Sequence, residues 1–229
     1  MERRKFTSQL HAGEYLNYVY HCPDSSEKLP LVISIHGAGS RGDDLSLIEN
    51  GIALQNGIKF KGDEAVFIAP QCHAKYWFDL FEVLTEFIDE MRHLSFVDID
   101  RVYITGTSMG GYTTWQMVLS HPDWFAAAVP VCGGGMYWAA AGLKNLAVWA
   151  THGALDTTVL PEETVHMVKA INSNGGNAKI TIFADTAHDA WVPTYTDPEI
   201  WNWMFSQKRS GETAVSDTTE VLKKVIKEQ

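Results

Sequence analysis

Alternation of apolar and polar residues, and apolar spacing close to 3.6, divide the chain into a succession of strands and helices. Lys5 to Gln9 and Tyr15 to His21 alternate, and His11-Ala12-Gly13 between them is short enough for a hairpin. Leu31-Val32-Ile33-Ser34-Ile35 is too uniformly apolar for a sheet with one wet face, so it predicts a central parallel strand. It runs into the glycine-rich stretch HGAGSRG at 36–42, after which a helix is predicted from Asp43 to Gln55, capped by Asp43 or Asp44. Ala65 to Ala69 predicts a strand ended by Pro70. Leu80, Val83, Leu84, Phe87, Ile88 and Met91 then recur at helical spacing and predict an amphipathic helix.

The second half continues the rhythm. Val102-Tyr103-Ile104-Thr105 is β-branched and aromatic, Gly106 to Gly110 turns the chain, and Tyr112 to Leu119 proceeds at helical spacing. Phe125 to Val131 and Leu146 to Ala150 predict strands, and Pro161 opens a helix that stops at Asn174-Gly175-Gly176. A last strand from Lys179 to Phe183 and a Trp-rich helix from Pro198 to Phe205 close the body. Strand alternating with helix implies an α/β protein with a mostly parallel sheet covered on both faces, and an antiparallel hairpin at its start.

Composition narrows the function. With 229 residues, 45% of them hydrophobic, there is enough chain for one large domain, placed at 1–207, followed by a polar tail at 208–229. In the tail, Asp217 and Glu220 precede Val221, Leu222, Val225 and Ile226, predicting a short helix that docks on the body; docking on a second copy, as a homodimer, is the alternative. A formal charge of −10 without a Lys/Arg cluster argues against nucleic acid as a partner. Cys22, Cys72 and Cys132 have neither disulfide-framework nor zinc spacing and read as free thiols. The absence of a long apolar run predicts no membrane span and a cytoplasmic protein, or a secreted one if a leader has been removed.

In an open parallel sheet, ligands bind beyond the carboxyl ends of the strands. Four such places carry reactive or glycine-rich chemistry: the 36–39 stretch HGAG, Ser108 within G-x-S-x-G, Asp156 within THGALD, and His188 within DTAHDAW. A serine hydroxyl is a poor nucleophile until a base lies within hydrogen-bond reach and a carboxylate orients that base. Ser108, Asp156 and His188 supply these roles in chain order. The competing readings are an ordinary helix cap for Ser108 and Asp185 or Asp123 as the acid. His36 and His152, set at strand ends before glycines, read as loop anchors; Arg41, Asp43 and Asp44 read as a solvated loop and cap. Trp77 and Trp191 are candidates for lining a substrate pocket, with Tyr137 and Trp138 as further rim aromatics.

On the motifs HGAGSRGDD at 36–44, APQC at 69–72, GTSMGGYTTW at 106–115, CGGG at 132–135, HGALD at 152–156 and AHDAW at 187–191, residues 5–207 resemble the α/β-hydrolase superfamily. The resemblance is to compact carboxylesterase and phospholipase-type esterases, themselves similar to the prolyl oligopeptidase catalytic domain. It implies Ser108 as nucleophile, His188 as general base and acid, Asp156 as the acid member, and the backbone N–H groups of Ala38 and Met109 as oxyanion donors. It further implies a small-molecule ester substrate, aryl or carbohydrate-linked, and chemistry that needs neither metal nor organic cofactor. The short 133–145 connection leaves no room for a large cap, which predicts an open, shallow pocket. A prolyl-oligopeptidase-type serine peptidase, and a hydrolase fold used only for binding, are the alternatives.

Overall fold

The computed structural model describes residues 1–209. Its centre is an eight-stranded sheet in the order β1-β2-β4-β3-β5-β6-β7-β8. The strands are β1 (Glu2–Thr7), β2 (Tyr15–His21), β3 (Leu29–Ile35), β4 (Val66–Gln71), β5 (Val97–Thr107), β6 (Ala127–Val131), β7 (Ala147–Gly153) and β8 (Lys179–Phe183). β1 pairs antiparallel with β2 and β2 with β4, while β4-β3-β5-β6-β7-β8 are mutually parallel. Successive residues of the inner strands serve different cores: Leu31, Ile33 and Ile35 face one, and Val32 the other. That period of two is why these strands carry no polar face.

Helices α3 (Phe81–Arg92), α4 (Met109–Ser120) and α5 (Pro161–Ser173) cover the first face, bringing Phe87, Trp115 and Met167 into its core. The opposite face is covered by α1 (Ser46–Glu49), α2 (Ile52–Lys61), α6 (Trp191–Thr196) and α7 (Pro198–Ser206), whose Leu54, Tyr195 and Trp201 are buried there. The chain leaves β3 for β4 on one side and returns to β5 on the other. Loops beyond β3 and β5 therefore diverge and leave a crevice.

Several boundaries differ from the sequence expectation, each for a local reason. The first strand lies at Glu2–Thr7 rather than Lys5 to Gln9, because the amides of Gln9 and Leu10 donate to the Glu86 carboxylate and leave the ladder. The single helix expected from Asp43 to Gln55 is two helices: Gly51 has extended backbone at the start of α2, and a methyl group there would sit 2.9 Å from the Ile48 carbonyl oxygen. Asp43 accepts from Asn17 at 3.1 Å, and Asp44 accepts the Ser46 amide at 3.0 Å. Pro70 lies inside β4 instead of ending it. Pairing with β3 stops at Ile68, so the missing N–H is tolerated where only β2 remains alongside. The helix expected around Asp217 to Ile226 lies outside the described residues.

Candidate active site

The strand-to-helix turn at Ser108 is built on two close approaches. A methyl group on Gly106 would lie 2.4 Å from the Gly110 carbonyl oxygen, and one on Gly110 would lie 2.1 Å from that of Ile35. Only glycine lets β5, α4 and the end of β3 come this near. Ser108 is thereby held at φ 54°, ψ −117°, a conformation costing roughly 1–3 kcal/mol for a residue with a side chain. It presents the hydroxyl at the N-terminus of α4, where the amide of Met109 precedes the first intrahelical bond.

The side chains that converge on this hydroxyl come from loops after three different strands. Ser108 Oγ is 2.8 Å from His188 Nε2, and His188 Nδ1 is 2.7 Å from Asp156 Oδ2. A carboxylate only accepts, so Nδ1 carries the proton and Nε2 is left to accept from the serine. The second Asp156 oxygen accepts the amides of Thr158 at 2.9 Å and Val159 at 3.0 Å. Burial alone would raise the Asp156 carboxyl, but the bonds from His188, Val159 and Thr158 outweigh it and hold the pKa below the ordinary carboxylate range. Asp156, rather than Asp123 or Asp185, meets His188. Asp123 instead receives Arg209 through its backbone carbonyl.

The 36–42 loop packs directly on the serine turn. A methyl group on Gly37 would lie 3.5 Å from Ser108 Cβ. His36 braces the loop: its Nε2 accepts the Cys72 amide at 2.9 Å, so Nδ1 bears the proton and donates to the Gly37 carbonyl at 2.6 Å. Burial pushes its pKa down to about 4. Arg41 ties the same loop with bonds to the carbonyls of Ala38 and Lys75. Neither the Ala38 nor the Met109 amide donates to an acceptor among the described residues, and each begins a helical turn beside Ser108.

Trp191 meets the His188 ring edge-on, with centroids 5.5 Å apart, and lines the cleft next to Ser108. Trp77 does not. Its side chain is wholly buried and donates Nε1–H to the His36 carbonyl at 3.1 Å, so it supports the loop from beneath instead of lining a pocket. Tyr137 and Trp138 are exposed on the short 137–143 turn. The cleft, about 520 Å³, extends from Ser108 between the sheet and the α1–α2 pair, with Ile48 and Leu54 in its lining.

Cys132, Asp156 and His188 bring a thiol, a carboxylate and an imidazole within 4.8 Å of one another, a spacing that admits a metal ion. The donor set fits one poorly. Burial pushes the Cys132 thiol up to about 12, keeping it protonated, and Asp156 Oδ2 and His188 Nδ1 already share a hydrogen bond.

A family model described as the prolyl oligopeptidase family matches residues 77–141. A solved structure described as a thermostable esterase superposes with a TM-score of 0.77 at 28% identity, covering 91% of this chain and 63% of that one. This chain has an α/β-hydrolase fold, similar over residues 77–141 to the prolyl oligopeptidase family. Within that fold, an acylaminoacyl peptidase of Pyrococcus horikoshii matches with a TM-score of 0.67 at 15% identity, over 96% of this chain and 43% of that one. Over 51 residues, the chain is 39% identical to poly(3-hydroxyalkanoate) depolymerase C of Paucimonas lemoignei, a span of 22% of this chain and 12% of that protein.

Proposed function

We propose that the protein is a serine hydrolase cleaving carboxylic esters through an acyl-enzyme on Ser108. The observation that carries this reading is the unbroken chain from Ser108 Oγ through the His188 ring to Asp156, hung on a strained turn that exposes the hydroxyl. As Ser108 Oγ bonds to the ester carbon, its proton passes to His188 Nε2 and the carbonyl electrons move onto oxygen. The amides of Ala38 and Met109 receive that oxyanion, where donors that need no reorganisation are worth most. Collapse breaks the bond to the alcohol oxygen, which leaves with the proton from His188. Water then repeats the sequence, giving up a proton to His188 and releasing the acid with Ser108 restored.

A serine peptidase is the second reading, favoured by the family match at residues 77–141. The thermostable esterase, similar over most of this chain, and the depolymerase support the ester reading. The test is covalent labelling. A fluorophosphonate should phosphonylate Ser108 with loss of fluoride, adding the mass of the reagent less HF, and the enzyme should release p-nitrophenol from p-nitrophenyl acetate faster than it cleaves any aminoacyl p-nitroanilide. No label on Ser108, or faster anilide than ester cleavage, would reject it.

A further inference from the structure

We propose that the cleft beside Ser108 binds an uncharged apolar substituent of the substrate, an aryl ring or alkyl chain lodged between the sheet and the α1–α2 pair. This deepens the ester reading and rests on it. The cleft holds about 520 Å³, a volume typical of sites for small organic ligands. No Asp, Glu, Lys or Arg lines it; its titratable lining side chains are His36 and His188. Since burial holds His36 at about 4, it places no charge on the wall at neutral pH.

Away from Ser108 the wall is mainly Leu47, Ile48, Ile52 and Leu54, with Ser34, Ser40 and Thr158 the hydroxyl side chains among them, and Trp191 stands at the His188 end. Ile48 and Leu54 are buried, whereas Leu47 is 45% exposed and marks the mouth. The break at Gly51 makes this wall, because two short helices on either side of it both contribute apolar side chains. A free ammonium or a polyol entering here would give up water for a surface with few partners, while an apolar group gains by leaving water. A carbohydrate-linked ester would fit only with its acyl group, and not its sugar, in this cleft.

Two ester series test the assignment: p-nitrophenyl acetate, butyrate and hexanoate vary the acyl side, and methyl, butyl and phenyl acetates vary the alcohol side. kcat/KM is expected to rise at least about tenfold along one series, since a fully buried methylene is worth up to about fourfold. Leu47→Asp and Ile52→Asn, checked for cooperative thermal unfolding, should cut that rise to about twofold. Acetate turnover with both series flat overturns the cleft assignment and leaves the ester reading standing, as does a rise that survives both substitutions. Should neither variant fold, the wild-type series decide alone. If no ester is cleaved and Ser108 takes no fluorophosphonate, the ester reading itself fails.

Discussion

The imidazole of His152, wholly buried, lies 3.2 Å from the same Asp156 oxygen that His188 holds. His152 Nε2 donates its proton to the Val159 carbonyl at 2.9 Å, which can only accept, so the ring packs against Asp156 while its hydrogen bond holds the Val159 backbone. Nδ1, left without a proton, accepts from Thr164 Oγ1 at 2.7 Å, and the same hydroxyl lies 2.8 Å from the Gly133 carbonyl. This network joins the Asp156 loop to α5 and to the segment after β6. In the proposed reaction this would make His152 a positioning residue, since it would reach the reacting atoms only through Asp156.

Replacing it tests that role. His152→Gln is expected to lower kcat roughly 10- to 100-fold through misplacement of Asp156 and His188, with KM little changed. Stability should also fall, by about 1–3 kcal/mol for the polar groups left without partners. Steady-state kinetics on the folded variant decide: an unchanged kcat would make His152 a loop anchor and nothing more.

Asp156→Asn removes the carboxylate but keeps the shape. An amide can turn its NH₂ toward His188 Nδ1 and favour the wrong tautomer, with Nε2 protonated and unable to accept from Ser108. The expected loss in kcat is on the order of 10⁴. Comparable turnover in wild type and variant, measured with p-nitrophenyl acetate, would remove Asp156 from the relay.

Much of this arrangement is legible in the sequence because local chemistry determined it. The last strand falls at Lys179–Phe183, and the parallel core strands announce themselves as unbroken apolar runs. The order Ser108, Asp156, His188 can be read because each lies just past a strand end, Ser108 and Asp156 beside glycines and His188 in the DTAHDAW stretch after the last strand. What escaped depended on contacts distant in sequence. The break between α1 and α2 hides within an apolar rhythm that continues on both sides of Gly51. Trp77 looks like a pocket aromatic until its partner, the His36 carbonyl, is seen. The helix Trp191–Thr196 is short and carries Pro193, so no periodicity reveals it. The cleft wall at Leu47 and Ile52 is visible only once both helices lie on the sheet.

Strain at Ser108 gives a prediction separate from activity. Ser108→Ala and Ser108→Gly both remove the hydroxyl and should both abolish ester turnover. They differ in backbone: alanine keeps the unfavourable contacts at φ 54°, ψ −117°, and glycine relieves them. Ser108→Gly is expected to be more stable than Ser108→Ala by about 1 kcal/mol, the relief exceeding glycine's extra unfolded-state entropy. Urea midpoints of the two variants measure this, and a less stable glycine variant would contradict it.

Gly110 is the tightest point of the same turn. Alanine would ordinarily stabilise a helix by up to about 1 kcal/mol relative to glycine. Here its methyl group would lie 2.1 Å from the Ile35 carbonyl oxygen and 2.7 Å from that of His36, both backbone atoms with nowhere to retreat. Steric cost therefore wins, and Gly110→Ala should lower stability by about 1–3 kcal/mol. Gly142→Ala, in the helical turn 137–143 with no atom within 4 Å of the added methyl, is the control and should unfold at or slightly above the wild-type midpoint.

His36 should write itself into the pH dependence of stability. Its pKa is about 4 in the folded protein against 6.5 as an ordinary side chain, because burial disfavours the imidazolium. Between those values the unfolded chain binds the proton and the folded one does not, so stability falls as pH drops from 6.5 and the loss levels off below about 4. At about 1.4 kcal/mol per unit, the full effect is on the order of 3 kcal/mol. Carboxylates held low in the fold, Asp156 and Asp98 among them, also weaken it in acid. The contribution of His36 is therefore the difference between wild type and His36→Asn. Urea midpoints from pH 7 to 4 should converge for the two proteins as pH falls, because the variant has no imidazole to protonate. Parallel curves would mean that His36 titrates alike in both states, and the neutral brace on the 36–42 loop would have to be abandoned.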